Sequence, residues 1–247
     1  MKVLTRLPEK IQHGLKNFVE DLKNLYSDQL VSVILYGSAA GEDFVAGRSD
    51  INTIVILKKV DFDSLQKYQT RQKKFERLGI VAPLFLEPEY IRTSADSLPI
   101  EFLDIKNQNK VLYGEDFFSG LEIHLTHLRL QCEQEIKGKL IRLRQHFLEA
   151  GDSREKLERL LSSSLASFIP VWRNMLRLKN KNQIHSTEDI LNQVENEFGF
   201  PGEVFRKVWK LKKNELKLEL PELQSLYSDY LERVRELALK VDKISNL

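Results

Sequence analysis

Apolar residues recur at two different spacings along the N-terminal half of the chain. Over residues 8–26 they follow a helical period, at positions 11, 15, 18, 22 and 25. Two short runs come next, LVSVILY at 30–36 and INTIVIL at 51–57. Both runs are rich in β-branched residues and predict strands. The second is apolar on both faces, which is typical of a central strand covered on each side.

The pattern then alternates irregularly up to about residue 118. It predicts a helix over 62–78, a strand near 80–86, a third strand in the apolar run 99–105, and a short strand at 111–113. Helices mixed irregularly with strands predict an α+β domain built on a mixed sheet. We assign this domain to residues 1–120.

After residue 120 the period changes to a helical one and stays helical. Five amphipathic segments are separated by short polar links, and the pattern contains no convincing strand. Ser186 and Thr187 mark the start of one helix, and Gly199 marks its end. Several amphipathic helices joined by short links are typical of a helical bundle. We therefore predict an all-α helical bundle over residues 121–247.

Composition narrows the class of protein. The chain has 247 residues, of which 42% are hydrophobic and 30% charged, with a net charge of +2. Nucleic-acid binders usually carry a stronger basic bias. The single cysteine excludes an intrachain disulfide and a cysteine metal cluster. No apolar run approaches the roughly 20 residues of a membrane helix. These features predict a cytoplasmic protein that does not contact a membrane.

The candidate chemistry lies where the first two strands meet, in YGSAAGEDFVAGRSDIN at residues 36–52. Residues i and i+2 of a strand share a face, so Asp50 and Asn52 project together. Gly37 allows a close approach of the backbone to a ligand. If a helix begins there, its N–H groups and the Ser38 hydroxyl form an anion site. This layout suits a nucleoside triphosphate and its Mg²⁺.

The pattern of Gly37-Ser38, eleven intervening residues, and Asp50-x-Asn52 resembles the signature of the DNA polymerase β-like nucleotidyltransferase superfamily. That signature is a Gly-Ser pair followed by Asp-x-Asp. The fuller string, including Ser49 before the aspartate, is similar to aminoglycoside and minimal nucleotidyltransferases. The resemblance is specific over about residues 37–57 and architectural beyond residue 120.

The resemblance implies a function and a set of site residues. Members of the superfamily transfer a nucleoside monophosphate from a triphosphate such as ATP, using Mg²⁺. Gly37, Ser38 and Ser49 would then bind phosphates, whereas Asp50 and Asn52 would bind metal and act in catalysis. A third carboxylate in the family would act as base or further ligand. LPIEFLDI at residues 98–105 offers Glu101 and Asp104 for it, and the Pro-x-Glu arrangement favours Glu101. On a strand the two would face opposite ways, so only one would reach the site.

The position of Asn52 departs from the family pattern. Asn offers one neutral oxygen, so the site loses a negative charge and a bridge between two metal ions. Two interpretations follow. The first is an active nucleotidyltransferase whose acceptor is a hydroxyl, with a small molecule favoured. The second is a catalytically degenerate relative that has lost two-metal chemistry and either binds a nucleotide or regulates a partner. The resemblance also allows a homo- or hetero-oligomer, and a helical bundle that closes over the substrate. An unrelated α+β protein with a chance motif is the third reading.

One further pattern concerns the helical part. Lys139, Arg142 and His146 are spaced by three and four residues and form one basic face of a helix. Such a face is commonly solvated, and it also suits an anionic ligand.

Overall fold

The apolar runs of the N-terminal half form a four-stranded mixed sheet in the computed structural model of the chain. The structure describes residues 6–41, 44, 46, 49–181, 186–199 and 203–244. The strands are β1 (Leu30–Tyr36), β2 (Asn52–Leu57), β3 (Leu84–Leu86) and β4 (Asn109–Tyr113). Their order is β3-β2-β1-β4, with β1 antiparallel to both neighbours and β2 parallel to β3.

Helices cover both faces of this sheet. They are α1 (Glu9–Tyr26), α2 (Phe62–Glu76), α3 (Pro88–Thr93) and α4 (Pro99–Asn107). Residues of α1 and α2 pack in one apolar cluster with Val55 and Leu57 of β2. Residues of α3 and α4 pack in a second cluster with Ile54 and Ile56. Alternate residues of β2 therefore enter opposite clusters, which is the central, two-sided burial that the sequence predicts.

The run 99–105 is a helix, so its prediction as a strand is wrong. Pro99 occupies the first turn of α4, where its missing N–H costs no hydrogen bond. Phe102 and Ile105 are buried against the sheet, and Leu98 packs beside them at the matching helical spacing. Apolar residues at i, i+4 and i+7 are the signal that distinguishes this helix from a strand.

Residues 124–247 form the second of two units into which the chain divides, the first being 1–123. Its helices are α5 (Leu125–Ala150), α6 (Arg154–Leu178), α7 (Thr187–Phe198), α8 (Glu203–Lys212) and α9 (Leu220–Val241). The described part of this unit contains no strand. The fold class is thus an α+β sheet domain followed by a helical region, as predicted.

Helix α6 is the centre of the second unit, because it contacts α5, α7, α8 and α9. Trp172 of α6 is fully buried, stacks on Phe168, and meets the ring of Phe205 at 4.6 Å between centroids. Ser186 caps α7 together with Asp189, and Gly199 ends that helix at φ +66°. Within the described parts of the chain, no helix is both long and apolar enough to cross a membrane.

The aromatic packing between α1 and α2 gives the first prediction. Phe18 has no exposed surface, and its ring contacts Tyr68 and Phe75 edge to face. Phe18→Ala leaves a cavity and is expected to lower the free energy of unfolding by about 3–5 kcal/mol. Phe62 of α2 is 75% exposed, so Phe62→Ala should change it by less than about 0.5 kcal/mol. Urea denaturation measures both, and equal effects would contradict the assigned core.

Candidate functional site

The polar end of β2 is held in an extended conformation. Ile51 bridges Ile80 in parallel, with its N–H donating to the carbonyl of Gly79 at 2.9 Å. The Ile51 side chain is buried in the cluster of α1 and α2. Because side chains alternate along a strand, Asp50 and Asn52 project to the opposite face. That face is the one covered by α3 and α4.

The turn that follows β1 is shorter than the sequence suggested. Residues Gly37–Ala40 form one 3-10 turn, which the Gly41 N–H closes by donating to the Ser38 carbonyl at 3.1 Å. Gly41 ends the helical turn, so a full helix with several unused N–H groups does not begin here. The expected helix-terminus anion site is therefore replaced by a compact backbone bend with the partly exposed Ser38 hydroxyl in it.

Gly37 and Asn52 lie against each other. Gly37 has φ +70°, a left-handed conformation that favours glycine. A Cβ at this position would stand 3.5 Å from Nδ2 of Asn52 and more than 4 Å from its Oδ1. The amide nitrogen thus faces the glycine, and the carbonyl oxygen, which is the atom that ligates cations, is the one farther from it. Two of the predicted site residues are brought together from two strands.

A polar row crosses three strands at this edge of the sheet. Tyr36 of β1 is opposite Asn52 on one side and Asn109 of β4 on the other, so all three share a face. Asn109 donates from Nδ2 to the Ile105 carbonyl at 3.0 Å, which ties the end of α4 to β4. Burial raises the pKa of Tyr36, so its hydroxyl stays neutral and keeps its proton.

Gln108 supports the bend from the side of β4. Its backbone carbonyl accepts from the Gly37 N–H at 3.2 Å. Its side-chain amide lies over Gly41, where it occupies the space that a Cβ would need. Sequence reasoning missed Tyr36, Gln108 and Asn109. The sequence offered one signal for Gln108 and Asn109, the polar string NQN at residues 107–109 before a short apolar run. Only the pairing of β4 with β1 shows that this string lies beside the site.

The other predicted residues occupy different positions around this edge. Ser49 is in the bend before Asp50 and is partly buried, whereas the Asp50 carboxylate is exposed. Glu101 is exposed and belongs to the first turn of α4. Since α4 is a helix, Glu101 and Asp104 share one side of it, which corrects the expectation that they face opposite ways. The structure brings α4 onto the face to which Asp50 and Asn52 project.

The donor set fits one Mg²⁺ better than two. Mg²⁺ in nucleotide sites is commonly held by one or two carboxylates together with phosphate oxygens. Asp50 supplies an exposed carboxylate, and Asn52 a neutral oxygen beside it. Among the described residues, no three His, Cys, Asp or Glu side chains group closely enough to hold a metal ion. Phosphate oxygens of a bound nucleotide would have to complete the coordination.

The fold was compared with known proteins. Spectinomycin adenyltransferase AAD(9) from Enterococcus faecialis, whose structure was determined with ATP and spectinomycin, superposes with a TM-score of 0.59. The two chains are 12% identical, and the match covers 90% of this chain and 99% of that one. No protein-family model and no curated protein matches the sequence. The chain therefore has the fold of this nucleotidyltransferase over nearly its whole length.

The bend at Gly37 gives the second prediction. Gly37→Ala places a side chain at φ +70°, and left-handed backbone costs roughly 1–2 kcal/mol for a residue with a Cβ. We expect a loss of that size in the free energy of unfolding, measured in urea. Gly120→Ala is the matched control, because its Cβ would meet nothing within 4 Å. Equal effects of the two substitutions would show that the bend is not constrained.

Proposed function

We propose that the chain is a nucleotidyltransferase that binds a nucleoside triphosphate with Mg²⁺ and transfers the nucleoside monophosphate to a hydroxyl of a small molecule. The observation that carries the proposal is the contact of Asn52 with the Gly37 bend, beside Asp50 on the same face. It unites the two halves of the sequence motif at one edge of a sheet. The likeness to an adenyltransferase determined with ATP and spectinomycin supports the proposal.

Each residue at the edge has a role that follows from its chemistry. The Gly37 bend lets phosphate oxygens approach the backbone, and the hydroxyls of Ser38 and Ser49 donate hydrogen bonds to them. Asp50 and Asn52 hold Mg²⁺, which supplies charge neutralisation at the triphosphate when it is bound. Tyr36 keeps a neutral hydroxyl beside Asn52 and serves as a further donor.

The transfer step needs a base close to the acceptor. The acceptor oxygen forms a bond to the α-phosphorus while the bond to the bridging oxygen breaks, and pyrophosphate leaves with the electron pair. The proton of the acceptor hydroxyl passes to a carboxylate. We assign that role to Glu101, because α4 lies on the site's face of the sheet and the carboxylate is exposed. Asp104, on the same side of α4, is the alternative.

A second candidate function is nucleotide binding without transfer. It is favoured by Asn52, which removes one of the two carboxylates of the family signature, and by the absence of a three-acid group among the described residues. Such a protein would sense a nucleotide or regulate a partner. Both candidate functions require nucleotide binding, and only the transferase releases pyrophosphate with an acceptor.

The third prediction concerns nucleotide binding. ATP, GTP, CTP and UTP are titrated with and without Mg²⁺, and thermal unfolding is followed. At a ligand concentration about 100 times the dissociation constant, binding should stabilise the protein by about 2.7 kcal/mol. Asp50→Ala should abolish the Mg²⁺-dependent part, since it removes the only charged ligand of the proposed pair.

Asp28→Ala is the matched control for Asp50→Ala. Asp28 is an exposed carboxylate in the turn before β1, and its ion pair with Lys58 is at the surface. Asp28 precedes β1, whereas the candidate site lies at the far end of that seven-residue strand. The two are therefore roughly 20 Å apart, at about 3.3 Å per residue. Nucleotide stabilisation should persist in this variant. If Asp50→Ala retains the full Mg²⁺ effect, the assigned site is wrong.

The fourth prediction concerns Asn52. Asn52→Asp adds a charge next to the proposed Mg²⁺ position, and unit charges about 4 Å apart near a surface interact by about 4 kcal/mol before desolvation. We expect Mg²⁺ to act at roughly tenfold lower concentration, with faster pyrophosphate release when hydroxyl compounds, including spectinomycin, are offered as acceptors. Asn24→Asp, on exposed helix surface of α1, is the control. Slower release would mean that the neutral amide is required, and release only in the variant would favour the binding function.

A further inference from the structure

A basic groove runs along the seam of α5 and α6 in the second unit. One cavity of about 220 Å³ is lined by Lys139, Arg142 and His146 of α5 and by Ser163, Ser164 and Ser167 of α6. A neighbouring cavity of about 430 Å³ shares His146 and Ser163 with it and adds Lys156, Arg159 and Glu149. We call the two together the basic groove. The basic face seen in the sequence of α5 is thus one wall of it, and α6 supplies the other.

The charge of the groove is poorly compensated. Lys139 pairs with Glu135, and His146 with Glu149 at 2.8 Å. No carboxylate of the described residues pairs with Arg142, Lys156 or Arg159. Arg142 has no acidic residue three or four positions away on its helix. Glu155, four positions before Arg159, instead accepts from Ser153.

Cations elsewhere in this unit are often paired. Arg129 and Lys137 share Glu133, and Arg154 meets Glu158 at 3.0 Å. The unpaired cations come from both helices, since Arg142 of α5 lines the first cavity and Lys156 and Arg159 of α6 line the second. Like charges gathered along one seam repel each other, and a bound anion would relieve that repulsion. An anionic ligand accounts for both the charge and the shape.

The serine hydroxyls add adaptable donors along α6. Ser163 donates to the Leu160 carbonyl at 3.2 Å, and Ser167 to the Ser164 carbonyl at 2.8 Å. Ser164 is hydrogen-bonded to the Tyr230 hydroxyl at 3.1 Å. A hydroxyl rotates about its C–O bond, so it can turn from its own helix to a ligand oxygen. Each guanidinium group can donate two parallel hydrogen bonds to phosphate oxygens, a mode of binding open to Arg142 and to Arg159.

We propose that the basic groove binds a phosphorylated small molecule. A phosphomonoester carries about −1.5 to −2 charge at pH 7, which matches the surplus of cations better than a single carboxylate does. The larger cavity falls in the range of small-molecule sites, roughly 300–1,000 Å³. A nucleic acid would need an extended basic surface, whereas the chain has a net charge of only +2. The groove lies entirely within the second unit, so the proposal does not depend on the nucleotide site.

Calorimetric titration of the full chain at low ionic strength tests the proposal. The probes are inorganic phosphate and ribose 5-phosphate, compared with neutral ribose and with succinate. Both phosphates should bind, ribose should not, and succinate should bind at least tenfold more weakly than ribose 5-phosphate. Arg142→Gln and Arg159→Gln should each raise the dissociation constant for ribose 5-phosphate at least tenfold, about 1.4 kcal/mol. Both side chains are exposed, so circular dichroism should show unchanged helix content.

Two controls separate the groove from other causes of binding. Arg144→Gln makes the same change on α5 at a residue that lines neither cavity, and should bind ribose 5-phosphate as the unaltered chain does. Asp50→Ala should also retain this binding, even where it loses nucleotide stabilisation. The proposal is overturned if the groove variants bind normally, if succinate binds as well as ribose 5-phosphate, if Asp50→Ala abolishes binding, or if a single-stranded oligonucleotide binds more tightly through the same arginines.

Discussion

The burial of β2 on both faces is the constraint on which the first unit depends. Its alternate residues enter two separate apolar clusters, one with α1 and α2 and the other with α3 and α4. A slip of one residue would exchange the two sets, so the register is strongly determined. Asp50, two residues before the strand, and Asn52, its first residue, follow the same alternation. The direction of Asp50 and Asn52 is thus decided by isoleucines and valines that take no part in any chemistry.

Strong periodicity made most of the fold predictable. The two central strands are β-branched and apolar, α1 has a regular apolar stripe, and the helices of the second unit repeat at helical spacing over long segments. Two short elements were exceptions: α3 was not predicted, and the segment of α4 was predicted as a strand because its apolar residues suit either period. Leu98, Phe102 and Ile105 fit a helix, but Ile100 and Phe102 also alternate with Glu101 as in a strand. A nine-residue element is too short for pattern alone to decide.

The candidate site was predictable only where it is local in sequence. Gly37, Ser38, Asp50 and Asn52 belong to one short segment, and their residue types suggest phosphate and cation ligands without reference to the rest of the chain. Gln108 and Asn109 reach the same edge through the pairing of β4 with β1, which no local pattern specifies. The same holds for the basic groove. The period of α5 reveals Lys139, Arg142 and His146, whereas the packing of α6 is needed to bring Lys156 and Arg159 to the adjoining cavity.

Gln108 contacts the glycine bend through both its backbone and its side chain, and this couples the bend to α4. One residue fixes the start of the bend through its carbonyl and fills the space above Gly41 through its side chain. It also follows directly after α4, whose last carbonyls accept its N–H. Because Gln108 directly follows α4, the position of that helix on the sheet and the position of the glycine bend are coupled through this one residue. Glu101, in the first turn of α4, is thus connected to the bend through one continuous helix and the residue that follows it.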